Sequence, residues 1–343
     1  MNLLIVTQKV DLRDDNIGAF HYWIKEFAAR VQSVSVIANG VGNYALPPNT
    51  QVYSLGKERS APRIIRWWRF LVIFSREYAR HDAVFFHMMP EFVIAASPFL
   101  LSLRKPSALW YVHKSVTWKL KCAERIVRYI VTASSLSFRL PSKKVIYTGH
   151  AIDTDVFQLR ASARANPGIH LLTVGRISPV KDIETMIRAC ALLKGAWNRA
   201  WSFTIVGGPA VSRDGAYLES LERLIKSRGL ASHVHFAGPE PYFEIPETYH
   251  AHDMFLSMST TGSLDKAVLE AMASGLTVIT ANEAFRDILP EKYFLTMRTP
   301  EALAERIRHL ADDARPNYLL REAVMKNHSL RETISKIVSL LNA

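Results

Sequence analysis

Short, uninterrupted apolar runs alternate with longer segments of helical spacing along nearly the whole chain, and this alternation restricts the fold more than any other feature. A first succession has apolar runs at residues 3–7, 34–38, 83–87, 107–112, 130–133 and 144–147, with helical spacing at 19–30 and 64–80. A second has runs at 170–174, 202–206, 233–237, 254–257 and 277–280, with helical segments at 183–193, 216–227 and 264–273. Strands that are apolar on both faces and alternate with helices belong to parallel sheets covered on both sides. Two such successions predict an α/β protein of two Rossmann-like domains, with a ligand cleft where the carboxyl ends of both sheets face each other. The segment RASARANPG, residues 160–168, is small and polar and contains Pro167 and Gly168, so it reads as the linker between domains 1–160 and 165–326.

With 343 residues the chain can build two cores, and 49% hydrophobic against 22% charged residues excludes a disordered chain. The longest apolar stretch, 92–103, is interrupted by Ser97 and Pro98 and is too short to cross a bilayer. The opening MNLLIVTQKVDLRDD has neither a basic leader nor a cleavage site, so no signal peptide is expected. Two distant cysteines, Cys122 and Cys190, suit reduced thiols in the cytoplasm.

Charge is unevenly shared. Residues 1–150 hold 21 Lys and Arg against 9 Asp and Glu, which accounts for the entire net charge of +12. An anionic partner is expected for that half, either a membrane surface or nucleic acid. The segment RSAPRIIRWWRFLVIFSREYAR interleaves Arg63, Arg66 and Arg69 with Trp67 and Trp68. On a helix the arginines would line one side while Trp68, Leu71 and Val72 gather on another, which suits an anionic headgroup layer. The plain alternative is a helix packed on its sheet with a solvated basic face. Nucleic acid is disfavoured, because no RNP pattern, zinc module or KH loop is present.

Four strand ends carry candidate chemistry. GRISPVKD, 175–182, brings Arg176 and Lys181 to the end of a strand, where two cations suit a diphosphate whose charge grows as it leaves. IVGGP places Gly207 and Gly208, and HFAGP places Gly238, where a backbone can approach a ligand closely. STTGSLDKAVLEAMASG, 259–275, sets a polar loop with Gly262 before an apolar helix, with Gly275 as its left-handed cap. Glu270 lies inside that helix, and a buried carboxylate needs a partner. Lys266, one turn earlier, is one possibility and a ligand is another.

In this order and spacing the four segments resemble the retaining glycosyltransferases of family 4, which have the GT-B fold. HKSVTWKLKCAERI and PSKKVIYTGHAIDTDVF extend the resemblance over nearly the whole chain. It implies transfer of a sugar from a nucleoside-diphosphate donor, UDP or GDP, to a hydroxyl of a sugar or lipid-linked acceptor, with retention of anomeric configuration. Arg176 and Lys181 match the cations that bind the diphosphate, and His113 matches the histidine facing the donor sugar. Glu270 matches the acid that holds the ribose hydroxyls. Ser263 and Leu264 match the loop giving backbone contacts, and Gly18 falls near the glycine loop that approaches phosphates and acceptor. The first acid of the family's Glu-x7-Glu pair is absent, and Gly262 stands in its place.

The helix near 327–343 resembles the segment that returns to the N-terminal domain. Asp153 and Asp155 imitate an Asp-x-Asp metal motif, but they fall in the interdomain connection of a family that generally needs no metal, so no metal and no cofactor beyond the donor is expected. The charge of the basic half and its Arg and Trp segment point to a cytoplasmic enzyme held peripherally on the inner face of the membrane, with Arg63, Arg66, Trp67, Trp68 and Arg69 on the membrane or acceptor side. The rival readings are a sugar-nucleotide epimerase and a basic nucleic-acid-binding protein.

Overall fold

Among the described residues twelve strands pair in parallel, in two separate sheets. The computed structural model describes all residues except Asn16, 161–167, Ala210, Ala314 and Arg315, and leaves aside the side chains of Ser212 and Arg213. The expected linker therefore lies, apart from its two ends, outside the described residues. Two compact units are formed, one from residues 1–153, 241–243 and 328–343, the other from 154–240 and 244–327.

The first unit runs β1 (Asn2–Val10), α1 (Ala19–Ala28), β2 (Ser33–Val41), β3 (Thr50–Ser54), α2 (Arg63–Arg80), β4 (Ala83–His87), α3 (Pro90–Leu103), β5 (Ser107–Trp110), α4 (Trp118–Ile126), β6 (Tyr129–Thr132) and β7 (Val145–Tyr147). Its sheet order is β3-β2-β1-β4-β5-β6-β7. The pleat divides the strand residues between two layers, as period 2 requires. Leu4, Val6, Val84, Phe86 and Leu109 pack against Phe70, Phe74 and Tyr78 of α2 and against Phe92 and Leu100 of α3. On the other side Phe85 and Trp110 meet Trp23 and Phe27 of α1, with Trp23 edge-on to Trp110 at 4.8 Å.

The second unit runs β8 (Ile169–Val174), α5 (Ile183–Ala196), β9 (Trp201–Val206), α6 (Ser212–Ser227), β10 (Val234–Gly238), α7 (Ile245–His250), β11 (Met254–Ser257), α8 (Lys266–Ala273), β12 (Thr277–Thr280), α9 (Pro300–Leu310) and α10 (Tyr318–His328). Its sheet order is β10-β9-β8-β11-β12. At the end of α8, Gly275 takes φ +79° and Leu276 N–H bonds Ala271 C=O at 3.0 Å, closing the helix as a Schellman turn.

The last helix, α11 (Leu330–Asn342), belongs to the first unit. It buries Ile334, Ile337 and Leu341 and packs on α1. Its start is tied down by a parallel bridge between Ile152 and Ser329, and Thr333 Oγ1 donates to Thr148 C=O at 2.8 Å. Among the described residues no helix is long and apolar enough to cross a membrane.

Candidate functional site

The carboxyl ends of β8, β9 and β10 are laced together by backbone hydrogen bonds. Gly175 N–H donates to Val206 C=O at 2.9 Å, Ile177 N–H to Gly208 C=O at 3.0 Å, and Gly207 N–H to Gly238 C=O at 2.8 Å. Gly207 is needed for the turn itself. Its φ is +129°, and a Cβ there would lie 2.0 Å from the carbonyl oxygen of Gly175, so the close approach it permits is to a neighbouring turn. Thr260 N–H reaches across to Val180 C=O at 2.8 Å and joins the polar loop to the same cluster.

At the carboxyl ends of β8 and β11 lies a narrow recess lined by Thr173, Gly175, Arg176, Lys181, Ser257 and Asp265, with Ala267 and Val268 from the first turn of α8. Arg176 is exposed and has no hydrogen-bond or ion-pair partner among the described residues. Lys181 differs. Its ammonium donates to Asp265 Oδ1 at 2.8 Å, so one of the two expected diphosphate cations already has a protein carboxylate. The other oxygen of Asp265 lies 3.5 Å from Asn282 Nδ2, which also donates to Ser263 C=O at 2.9 Å. The recess thus combines one free cation, one paired cation and the N-terminus of a helix, an arrangement able to receive an anion.

Gly262 has φ +63°, a left-handed backbone that favours glycine, and this gives a conformational reason for its place where the family pattern has an acid. Ser263 lies in the same loop and Leu264 is buried beside it. Glu270 is 4% exposed. It has two protein partners, Lys266 Nζ at 2.8 Å, the pair the spacing allowed, and the Tyr249 hydroxyl, which donates to Oε2 at 3.1 Å. Burial, and then the Glu270 carboxylate, pushes the Tyr249 phenol well above its ordinary range, so it stays a donor.

Other candidates lie in the first unit. His113 is exposed on the loop after β5, where its Nδ1 accepts from Ser115 N–H at 3.1 Å. Gly18 opens α1, and a Cβ there would come within 2.4 Å of Asp14 C=O. Asp153 ends the first part of one unit, whereas Asp155 belongs to the other. Among the described residues no group of three His, Cys, Asp or Glu is arranged to hold a metal.

The basic helix departs from expectation. Arg66 donates to Asn39 Oδ1 at 2.7 Å and Arg69 to Leu55 C=O at 3.1 Å, so both are half-buried and turned towards their own domain. Trp67 is half-buried and packs on Phe92 at 4.9 Å. Arg63 and Trp68 are exposed as expected.

Residues 157–328, half of the chain, match the family described as glycosyl transferases group 1. The chain belongs to that family. A D-inositol 3-phosphate glycosyltransferase from Nocardia farcinica is 35% identical over 132 residues, covering 36% of this chain and 28% of that protein. Its counterpart from Kineococcus radiotolerans is 32% identical over 149 residues, covering 40% and 34%. The matches therefore span only about a third of these relatives' length. Among solved structures, Anabaena Alr3699/HepE in complex with UDP and glucose superposes with a TM-score of 0.75 at 14% identity, over 99% of both chains. Sucrose-phosphate synthase from Thermosynechococcus elongatus gives 0.77 at 17% identity, over 100% of this chain and 98% of that one. At these identities the likeness establishes the fold, which is GT-B.

In this group 1 chain the sequence had not pointed to Asp265, Tyr249 or Asn282. Asp265 stands where an N-cap acid is ordinary, and nothing local marks it as the partner of Lys181, 84 positions earlier. Tyr249 resembles any buried helical aromatic until its hydroxyl is seen at Glu270.

Proposed function

We propose that the chain is a retaining glycosyltransferase that moves a sugar from a nucleoside-diphosphate donor to a hydroxyl acceptor. The observation that carries this reading is the unpartnered guanidinium of Arg176 beside the recess at the carboxyl ends of β8 and β11. A guanidinium there would take up charge developing on the departing diphosphate, the kind of interaction that strengthens in the transition state. Lys181 would be released from Asp265 to join it, and Glu270, held by Tyr249 and Lys266, would offer its carboxylate to the ribose. His113 and the Gly18 loop belong to the acceptor-side unit. Transfer would proceed on the front face, the leaving diphosphate helping to deprotonate the acceptor, with no metal required.

The acceptor is proposed to be a sugar or lipid-linked hydroxyl. The basic first unit would hold the enzyme on the inner face of an anionic membrane. The bound UDP of the Anabaena structure makes UDP the first donor nucleotide to try. The epimerase and nucleic-acid readings find no support in the family match.

A thermal-shift panel of nucleoside diphosphates and their sugars tests the core of this reading. UDP or GDP should raise Tm, by mass action on the folded state, and an RNA oligomer should not. If no nucleoside diphosphate or sugar derivative stabilises the protein, the donor assignment fails. Arg176→Ala should lower turnover by about 10²-fold or more while leaving Tm unchanged, the scale for losing one preorganised charge-stabilising group. Activity should persist in EDTA; a complete loss restored by Mn²⁺ would return Asp153 and Asp155 to consideration.

A further inference from the structure

The outward face of α2 is apolar. Ile64 is 79% exposed, Trp68 65%, and Ile65, Leu71 and Val72 between 41% and 49%. Spacings of four, seven and eight from Ile64 place Ile64, Trp68, Leu71 and Val72 on one helical stripe, beside the separate buried stripe of Phe70, Phe74 and Tyr78. A second exposed tryptophan, Trp118 at 67%, opens α4, preceded by the exposed Val116.

Topology brings these two features to one end of the layer. Because β3, β4 and β5 are parallel, the helices that follow them all start at the same edge of the sheet. Trp67 near the start of α2 touches Phe92 near the start of α3, and α3 packs on α4. Arg63, Lys114, Lys119 and Lys121 flank the same rim, and none has a side-chain hydrogen bond or ion pair among the described residues.

We infer that Ile64, Trp68 and Trp118 insert into the interfacial layer of an anionic bilayer, with Arg63 and the three lysines at the headgroups. The inference rests on the membrane-surface reading above and changes how that surface works: binding is carried by apolar insertion, and Arg66 and Arg69 take no part. Tryptophan suits that depth because it has an apolar body and one N–H donor. The net charge of +12 confined to residues 1–150 selects an anionic surface, and it opposes pairing with a second copy, whose rim would carry the same unpaired cations.

The test uses the full chain with vesicles of phosphatidylglycerol and phosphatidylcholine, some carrying brominated acyl chains that quench nearby tryptophan. Wild type should bind, be quenched, and keep part of its binding at high salt, where headgroup attraction is screened. The double variant Ile64→Ser, Trp68→Ser should lower high-salt partitioning by about tenfold or more, with Tm unchanged. Trp118→Phe should remove a separate share of the quench. Arg66→Gln should bind as wild type. If binding is abolished by salt and the double variant matches wild type, insertion is wrong and a purely electrostatic membrane contact stands. If wild type does not bind anionic vesicles, both fail together. A concentration-dependent dimer removed by the double variant would overturn the inference in favour of a second copy. Nucleotide stabilisation is read separately and is expected to be the same in every variant.

Discussion

The two parallel sheets are assembled from different lengths of chain. The second unit is almost one continuous stretch, whereas the first is completed by residues 328–343, which arrive from the far end of the sequence. The first therefore depends on a seam between distant segments, where His150 N–H donates to His328 Nδ1 at 3.2 Å and α11 covers α1. The second depends on tight turns between neighbouring strands, above all the contact of Gly207 with Gly175. One is closed by side-chain burial, the other by backbone fit.

If that contrast is right, trimming the seam should cost most. Ile337 is fully buried in α11, and Ile337→Ala is expected to lower stability by about 2–5 kcal/mol, the range for such truncations. Hydrogen exchange should show the loss concentrated in β4, β5 and α1 while β8–β12 keep their protection; equal loss in both units would dissolve the distinction.

The seam should also respond to pH. Burial, and then the charge of His150, pushes His328 down from its ordinary 6.5 to about 4. The unfolded chain takes up the proton first, so this contribution is complete above pH 6.5 and is lost as pH falls towards 4. A loss of about 3 kcal/mol is expected across that window, from the scale of one pKa unit. In denaturant titrations His328→Gln should flatten the dependence; an unchanged slope would place the acid sensitivity elsewhere.

Glycine substitutions sharpen the other side of the comparison. Gly207→Ala has to accommodate a Cβ 2.0 Å from a carbonyl oxygen at φ +129°, and should cost about 2–3 kcal/mol through overpacking and backbone strain. Gly195, in α5, has open space where its Cβ would be, so Gly195→Ala should stabilise by about 0.5–1 kcal/mol. Calorimetry giving the two substitutions the same sign would refute the assignment of backbone fit to Gly207 alone.

Much of this was legible beforehand. Continuous apolar strands alternating with helical segments specify parallel sheets because the signal is local: burial on both faces leaves no polar alternation. β3 went unread because TQVYS is short, and its positions are half-buried or exposed, so it lacks the apolar run of its neighbours. The helix α6 begins at Ser212, four residues before its apolar spacing starts, since its first turn, SRDG, has no apolar residue to mark it.

The candidate site divides along the same line. Turn glycines, the Arg176 segment and the helix carrying Glu270 are local patterns, and sequence order alone was enough to suggest a sugar-nucleotide site. What the tertiary structure decided were the partners. Lys181 meets Asp265 and Glu270 meets Tyr249 because parallel strand order brings together strand-end segments 84 residues apart and the helices α7 and α8, whose two residues are 21 apart. The helix α2 makes the limit plain. It has two apolar stripes, one through Phe70 and Phe74 and one through Ile64 and Trp68, and a period of 3.6 cannot say which stripe the sheet will cover. Only packing resolves that choice, since the aromatic stripe fills the space over β1 and β4, and with it the helix turns Arg66 and Arg69 inward and leaves Trp68 facing out.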